Sequence, residues 1–571
     1  MSGSRDRARD RAQRAEVVLD RDIWGLDRPL TYRIPEALAE RVVPGVIVRA
    51  PLRGRRVRGW VLSTSGGHED EPDEELSPIA GVSGPAPVFD VALLGTAYAM
   101  ARRYVHPLSS FLHLMTPPQM LGRSKGLPAT APRGTIGVEA GRTLRRLGPR
   151  EDPVAIYAES IARVLAQGRG AIVVVPEVRE GSLVLERLQR RFGETVAVVH
   201  SGQEPAERSR ALWDVARGRR QVVIGGRAAA LVPAFPLGLV VVHSEADRTL
   251  KEQRSPYYDA RDVAEARAVA YGAEVVLASE GPSLRSLARA QQGGWSVVEP
   301  SRDAMRASWP LVELLERPRT APMPQRAVAA VLAAQRAGER VLILVPRLAA
   351  SPSGPGPAEV AAYLRKVAPA AVIARADPAA LDGPGALERA LRAEVIVATE
   401  GALADVERPA VTTAVALGVD SMIHRPTGRA AEEAFAALWE LACLLARSGG
   451  GPNRARLLLE TDTPGHHVVQ AVVRGDYHFF ARHELEARRA NGVPPFSTLI
   501  RVRAVRQEIA TVVLDRLAEL PGTELLGPVE GRLGAEVLLK VSDREKVLDP
   551  LRGIVASAGE RLLVEMDPRE W

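Results

Sequence analysis

Cysteine is almost missing from this 571-residue chain: Cys443 is the only one. A lone thiol can form neither an intrachain disulfide nor a cysteine-ligated zinc site. It lies in AALWELACLLARS, an apolar helical run, where it reads as a small buried hydrophobe rather than a reactive group. Aromatics are sparse at 4%. Lysine is scarce beside arginine. Ala, Arg, Gly, Pro and Val are used heavily throughout, so arginine richness alone says little about function. No apolar run reaches the roughly 20 residues that span a bilayer. The opening MSGSRDRARDRAQRAE has no apolar core, which argues against a secretory signal. It reads as a mixed-charge disordered tail, with phosphate contact through its arginines as the alternative. A soluble, cytoplasmic, nucleoid-associated monomer with no membrane contact is expected. No repeat period is present, and no G-x-x-x-x-G-K-[ST] occurs.

What is there is ordinary for a well-cored globular protein: 46% hydrophobic and 25% charged residues. At roughly 100–200 residues per domain the length suggests three to five domains. Net charge is +7. That balance suits nucleic acid or another anionic surface without demanding either.

Closely spaced strand-like runs fill 16–63 (EVVLD, LTYRIP, GVIVRAPL, RVRGWVLST), with a turn at Pro44-Gly45, and suggest a small barrel. The stretch 65–85 is acidic loop. Helical periodicity covers 88–115, broken at Pro107. The stretch 116–150, rich in Pro, Gly and Arg, is the best linker. From 151 to 290 helices alternate with continuous Val/Ile runs: AIVVVPE, TVAVVH, QVVIGG, LGLVVVH, EVVLASE. Such runs argue for a parallel sheet covered on both faces. A second set follows with RVLILVPR, AAVIARA, AEVIVATE, TTAVALG, a long helix at 429–448, and RLLLETD. A charged helix, GDYHFFARHELEARRANG, opens a C-terminal part of alternating strands and helices.

Several of these stretches together resemble the PriA family of replication restart helicases. LDRPLTYRIPEAL followed by PGVIVRAPLRGRRVRGWVL is similar to that family's N-terminal domain, which binds the 3′ end of a nascent strand. VVVPE (173–177), VVHSG (198–202), IGGRAAALVPAFPLGLVVV, YYDARDVAEARA (257–268) and LASEGPSL (277–284) resemble its first helicase lobe. VDSMIHRPTGRAAEEAF (419–435) resembles its second lobe. GDYHFFARHELEARRANGVPPF (475–496) and VEMDP resemble its C-terminal domain. Order and spacing carry the resemblance, which runs over nearly the whole chain.

The resemblance implies an α/β multidomain protein: a small N-terminal β-barrel-like DNA-binding domain, two RecA-like lobes and an α/β C-terminal domain. The expected bounds are a tail at 1–15, the 3′-end domain at 16–118, a linker at 119–146, lobes at 147–295 and 296–470, and a C-terminal domain at 471–571. At about 28 residues the linker is too short for the family's winged helix.

The resemblance also implies ATP, magnesium and zinc, and here the sequence departs from the family. A phosphate cradle needs backbone N–H groups at a helix N-terminus, a Lys on the phosphates and a Ser/Thr on magnesium. The corresponding stretch is Leu147-Gly148-Pro149-Arg150-Glu151-Asp152-Pro153-Val154. Pro153 stands where the Lys would be, and Val154 where the Thr would be. The acidic box is replaced by His243 and Ser244, leaving Glu245 and Asp247 as remnants. His243 is a poor magnesium ligand and reads as structural. At the arginine-finger helix, Leu444 replaces one Arg and Arg447 remains, either as a remnant finger or as a helix C-terminal Arg favoured by the dipole. The zinc cysteines are missing from 347–390. No cofactor and no metal are therefore expected.

Binding residues are expected instead. Arg49, Arg53, Arg55, Arg56 and Arg58 form a basic strand-turn-strand corner suited to phosphates, with a solvated hairpin tip as the bland alternative. Tyr32 is placed for base stacking or for the core, while Thr31 replaces the family's nucleotide-contacting Asp. Arg227 is placed to touch the DNA backbone or to support the lobe. Arg254, Tyr257 and Arg261 are weaker candidates for the same groove. The reading is a replication restart protein that binds forks, 3′ ends and single strands. It supports primosome assembly with partners such as single-strand-binding protein and the replicative helicase, without its own ATP-driven unwinding. A residual ATP-dependent 3′-5′ helicase and a protein-interaction scaffold without DNA affinity are the alternatives.

Overall fold

A computed structural model describes residues 13–21, 24, 28–65, 76–119, 141–178, 182–234, 236–346, 355–381, 385–401, 410–448, 455–504, 507–531 and 534–571. The N-terminal sheet is antiparallel, in the order Leu30–Arg33, Arg14–Leu19, Arg55–Ser65, Ile47–Leu52, Gly81–Ser83. Its two edges are drawn together where Arg33 N–H donates to Ser77 O at 3.1 Å and Ile79 N–H to Arg33 O at 3.0 Å. The result is barrel-like, with Val17, Val48, Ala50, Val57 and Val61 buried inside. The opposite face of Arg55–Ser65 turns Trp60 onto two helices, Val91–Tyr104 and Leu108–Met115. Trp60 Nε1–H donates to Thr116 Oγ1 at 2.8 Å, which satisfies a fully buried indole. Pro107 lies between the helices as the periodicity indicated, and Val105 turns the chain in the left-handed region at φ 54°.

The first parallel sheet has seven strands, in the order Ser296–Val298, Arg142–Arg146, Glu274–Ser279, Leu237–His243, Gly170–Val174, Val222–Gly225, Val196–Val199. The continuous Val/Ile runs occupy its centre because both faces are covered. Val173, Leu239 and Val241 pack under Tyr157 and Ile161 of the helix Pro153–Ala166. Ile172, Val240 and Val242 face Val263 and Ala264 of the helix Ala260–Tyr271.

Two boundary expectations are corrected here. The linker of 119–146 ends in a strand, because RTLRR pairs in register with Val275–Ser279. Its arginines hid it. Leu144 is buried, while Arg145 and Arg146 reach the carboxylates of Glu151 and Glu299. Ser296–Val298, expected to open the second lobe, pairs with that same strand and belongs to the first sheet. The expectation that a winged helix is missing falls largely on 120–140, which lie outside the described residues, as does the tail at 1–12.

The second parallel sheet has six strands, in the order Leu311–Leu315, Arg456–Glu460, Thr413–Ala416, Val341–Val345, Val395–Thr399, Ile373–Ala376. The long helix Ala430–Ser448 packs on it, and Cys443 is buried within that helix as expected. The C-terminal sheet is antiparallel, in the order Thr523–Gly531, Gly534–Val541, Thr498–Ala504, Leu562–Met566. The helix Arg544–Ala558 docks against Val91–Tyr104 through Arg102, which bonds Glu545 at 2.7 Å and Asp549 at 3.1 Å. The protein is thus an α/β multidomain chain with an N-terminal antiparallel sheet and two parallel sheets covered by helices. Among the described residues no helix is long and apolar enough to cross a membrane.

Candidate nucleic-acid interface and interlobe cleft

The basic corner is a hairpin. Ile47–Leu52 and Arg55–Ser65 pair antiparallel, with Arg49 opposite Arg58 and Pro51 opposite Arg56. Arg53 and Gly54 turn the chain with φ 47° and 77°, the doubly positive pair that a two-residue hairpin demands. Ala50 and Val57 point into the core. The register therefore puts Arg49, Arg56 and Arg58 on one face, with Arg53 and Arg55 at the tip. Arg49, Arg53, Arg55 and Arg56 are exposed. Arg58 is not free: its Nε–H donates to Asp20 at 2.6 Å, and Asp20 also contacts His113 at 3.1 Å. Burial would raise the Asp20 carboxyl, but His113 and Arg58 outweigh it and hold it below the usual range. The corner thus presents four solvent-facing guanidiniums and one anchored one.

Tyr32 does not present its ring. It is 3% exposed, packs among Val17, Val48 and Val57, and donates its hydroxyl to Pro51 O at 3.1 Å. Of its two expected roles, the structure gives it the core one. Thr31, beside it, is exposed.

The stretch expected to cradle phosphate is filled by the chain's own acids. Glu151 Oε2 accepts the Gly148 N–H at 2.7 Å, and its Oε1 accepts from Arg145 at 2.7 Å. Asp152 caps the helix by accepting the Val154 N–H at 3.0 Å and is bound by Arg187 at 3.0 Å. Burial would raise the Asp152 carboxyl, but Arg187 and the helix amides hold it low. Pro153 opens the helix without an N–H, and Val154 is buried in the core. A helix N-terminus attracts anions through exactly these free donors; here they are spent on carboxylates. These residues do not fit a nucleoside triphosphate.

The remnants of the acidic box have structural partners. His243 shares a 2.9 Å hydrogen bond with Tyr157. Ser244 bends the strand end at φ 47°. Glu245 is fully buried and accepts from Ser283 N–H at 2.6 Å, Ser283 Oγ at 3.0 Å and Ser286 Oγ at 2.7 Å. It ties the strand Leu237–His243 to the helix Leu284–Gln291 and is not presented to a water. Asp247 caps the next turn through Thr249 N–H at 2.7 Å. A lone buried Cys443 cannot hold zinc. Among the described residues no group of three or more His, Cys, Asp or Glu could hold a metal ion.

Arg447 crosses between lobes. Its Nε–H donates to Pro149 O at 2.8 Å, and its guanidinium pairs with Glu280. Nearby, Trp439 Nε1–H donates to Glu280 O at 3.0 Å and Tyr477 OH to Pro282 O at 2.7 Å. Leu444 is buried. Arg227 is held bidentately by Glu252 at 2.7 and 3.2 Å, which places it in the supporting role rather than free in the groove. Arg261 is buried against Asp259 at 2.7 Å and donates to Glu245 O. Arg254 and Tyr257 form a tight turn, with Tyr257 at φ 53°. Pro153, His243, Asp247, Arg227 and Arg447 all line one cavity of about 1170 Å³ between the lobes.

Sequence reasoning missed Arg145, Glu280 and the network in which Arg285 bridges Asp259 at 3.0 Å and Asp262 at 2.6 Å. Burial would raise the Asp262 carboxyl, but Arg103, Arg285 and Arg289 outweigh it and hold it well below the carboxylate range. Only the acidity of 151–152 was a visible signal.

Residues 16–117 match the family model of the PriA 3′DNA-binding domain. The replication restart protein PriA of Bacillus subtilis is 27% identical over 68% of this chain and 56% of its own length. The chain thus spans just over half of that relative. The probable PriA of Mycobacterium tuberculosis is 28% identical over 88% of this chain and 89% of its own. That of Treponema pallidum is 26% identical over 95% and 98%. Among solved structures, RecG bound to a three-way DNA junction covers 62% of this chain and 44% of its own at 17% identity and TM-score 0.40. Saccharomyces cerevisiae Dbp5 bound to RNA and ADP BeF3 covers 70% and 97% at 12% identity and TM-score 0.39.

Proposed function

The chain is related to the PriA replication restart proteins, and we propose that it recognises branched or forked DNA at stalled forks and supports primosome assembly without ATP-driven unwinding of its own. The observation that carries the first half is the hairpin corner within the matched 3′DNA-binding domain. Arg49, Arg53, Arg55 and Arg56 are exposed on it and bracket a rigid turn. Guanidiniums so placed contact phosphates and position a duplex or strand end without reading its sequence. Single-strand-binding protein and a replicative helicase are the partners this role calls for.

The second half is supported by Glu151 and Asp152, which take the Gly148 and Val154 N–H groups, and by Pro153, which has no N–H to offer. The enclosure of Glu245 supports it further. The lobes then act as a scaffold that holds the N-terminal and C-terminal domains in place. The domain bounds that go with this reading are 16–118, about 141–298, about 310–474 and about 475–571.

The test is fork binding and DNA-stimulated ATP hydrolysis measured side by side on the purified chain. Fork affinity that falls steeply with salt, with no nucleotide turnover, is the expected result, because phosphate contacts release counterions. Fork-stimulated hydrolysis lost on Glu245→Gln would overturn the second half. Absence of salt-sensitive fork binding would overturn the first and favour a protein-interaction scaffold.

A further inference from the structure

Most guanidiniums lining the interlobe cavity are saturated. Arg261 lies on Asp259 at 2.7 Å, Arg285 on Asp262 at 2.6 Å and Arg289 on Glu265 and Asp262. Three in the same cavity are poorly partnered and lie outside lobe one, Arg429 in lobe two and Arg544 and Arg569 in the C-terminal domain. Arg429, at the start of the long lobe-two helix, makes no side-chain hydrogen bond or ion pair among the described residues, and its Nε is buried without an acceptor. Arg544, opening the last helix, also has a buried, unpartnered Nε. Its one ion pair is a long 3.5 Å approach to Glu545, which Arg102 already binds at 2.7 Å. Arg569, on the C-terminal tail, lines the cavity with no side-chain partner among the described residues.

The acids facing them do not close the account. Glu432 is committed to Arg488 and to the Leu284 N–H at 2.8 Å. Glu433 stands 3.8 Å from Arg248 and 3.9 Å from Arg425. Asp567, held at φ 49°, acts electrostatically on both Arg429 and Arg544, yet forms no ion pair with either. Lys251 donates to Met566 O and lies 5.1 Å from the Tyr104 ring. Loss of solvent pushes all three guanidiniums below their ordinary value, and Lys251 down to about 8. Buried donors left without acceptors are costly. Two such donors, with the half-buried guanidinium of Arg569, around one solvent-connected space fit an acceptor that arrives from outside. A phosphate group offers several anionic oxygens to guanidinium forks at once.

We propose that this junction of lobe one, lobe two and the C-terminal domain is a binding site for a phosphate group, received by Arg429, Arg544 and Arg569. The site is separate from the hairpin corner and from the acid-filled cradle, so it stands whether or not the hairpin binds DNA. The phosphate belongs to a nucleic-acid strand or to a free polyphosphate.

Tripolyphosphate is the probe, followed by calorimetry on the full chain. Saturable binding is expected, weakened at least ten-fold in both Arg429→Gln and Arg569→Gln and unchanged when Arg53, Arg55 and Arg56 are replaced by Ala. Arg569→Gln lies on the tail and serves if Arg429→Gln does not fold. In the unaltered chain, tripolyphosphate should slow hydrogen exchange at 429–436 and 562–571. Displacement of the probe by a short single strand assigns the site to strand phosphate; displacement by ADP alone assigns it to a free polyphosphate. No binding, or equal binding in the unaltered chain and Arg569→Gln, overturns the proposal.

Discussion

Arg447, in the last turn of the long lobe-two helix, donates its Nε–H to the carbonyl of Pro149 in lobe one at 2.8 Å. The same guanidinium pairs with Glu280 at the end of a lobe-one strand. One side chain thus fastens the second lobe to the acid-filled turn and to the strand end beside it. Two lobes joined this way form one closed unit.

Arg447→Ala should loosen that joint. Removing it takes the Arg447 guanidinium away from the Glu280 carboxylate and the Pro149 carbonyl, at a cost of about 1–3 kcal/mol. Hydrogen exchange should rise at 147–154 and 279–284 while the sheet centres stay protected. Unchanged exchange in both segments would mean that the lobes are held by packing alone.

Replacing Arg53, Arg55 and Arg56 together by Ala should weaken fork binding without unfolding the domain, since all three are exposed. Each phosphate contact contributes roughly 0.7–0.9 to the slope of log affinity against log salt. The slope should therefore fall by about 2–3. Arg58→Ala should behave differently, because Arg58 is tied to Asp20. It should lower stability and leave the slope nearly unchanged.

Tyr32→Phe tests whether the Tyr32 hydroxyl serves the core or the DNA. Losing the hydroxyl's bond to Pro51 O should cost about 0.5–1.5 kcal/mol. DNA affinity should not change, since the hydroxyl is spent inside the domain; a measured loss of affinity at constant stability would assign the hydroxyl to a DNA contact instead.

How much of this was legible depended on which physical signal each element carried. The parallel strands announced themselves because Val173, Val240 and Val397 are buried on a two-faced sheet, which needs an unbroken apolar run. Arg142–Arg146 did not, because an arginine-rich strand near a sheet edge is accommodated by carboxylates outside the strand, Glu151 six residues on and Glu299 far along the chain. The hairpin was visible from its charge and turn residues. That Arg58 is neutralised was not, since Asp20 lies 38 positions away in the chain. Likewise Glu245 looked like a catalytic remnant from its neighbours in sequence. Only its partners Ser283 and Ser286 reveal a buried tie between strand and helix.

Glu460 makes the stability of lobe two depend on pH. It ends the strand Arg456–Glu460, is 2% exposed, and leaves Oε2 without a partner. Burial is the main cause that pushes its carboxyl up from 4.5 to about 7, against the opposing field of Arg317. The folded value lies above the unfolded one, so the folded state holds the proton more tightly. Its contribution is therefore fully present below about 4.5 and is lost as pH rises through about 7. At 1.36 kcal/mol for each unit, the scale is about 3 kcal/mol. Glu460→Gln keeps the shape and cannot ionise. Urea unfolding at intervals between pH 5 and 8 should show the variant gaining on the unaltered chain as pH rises, and standing above it at pH 8. Parallel stability curves would mean that Glu460 is solvated or paired in solution and that burial does not set its proton.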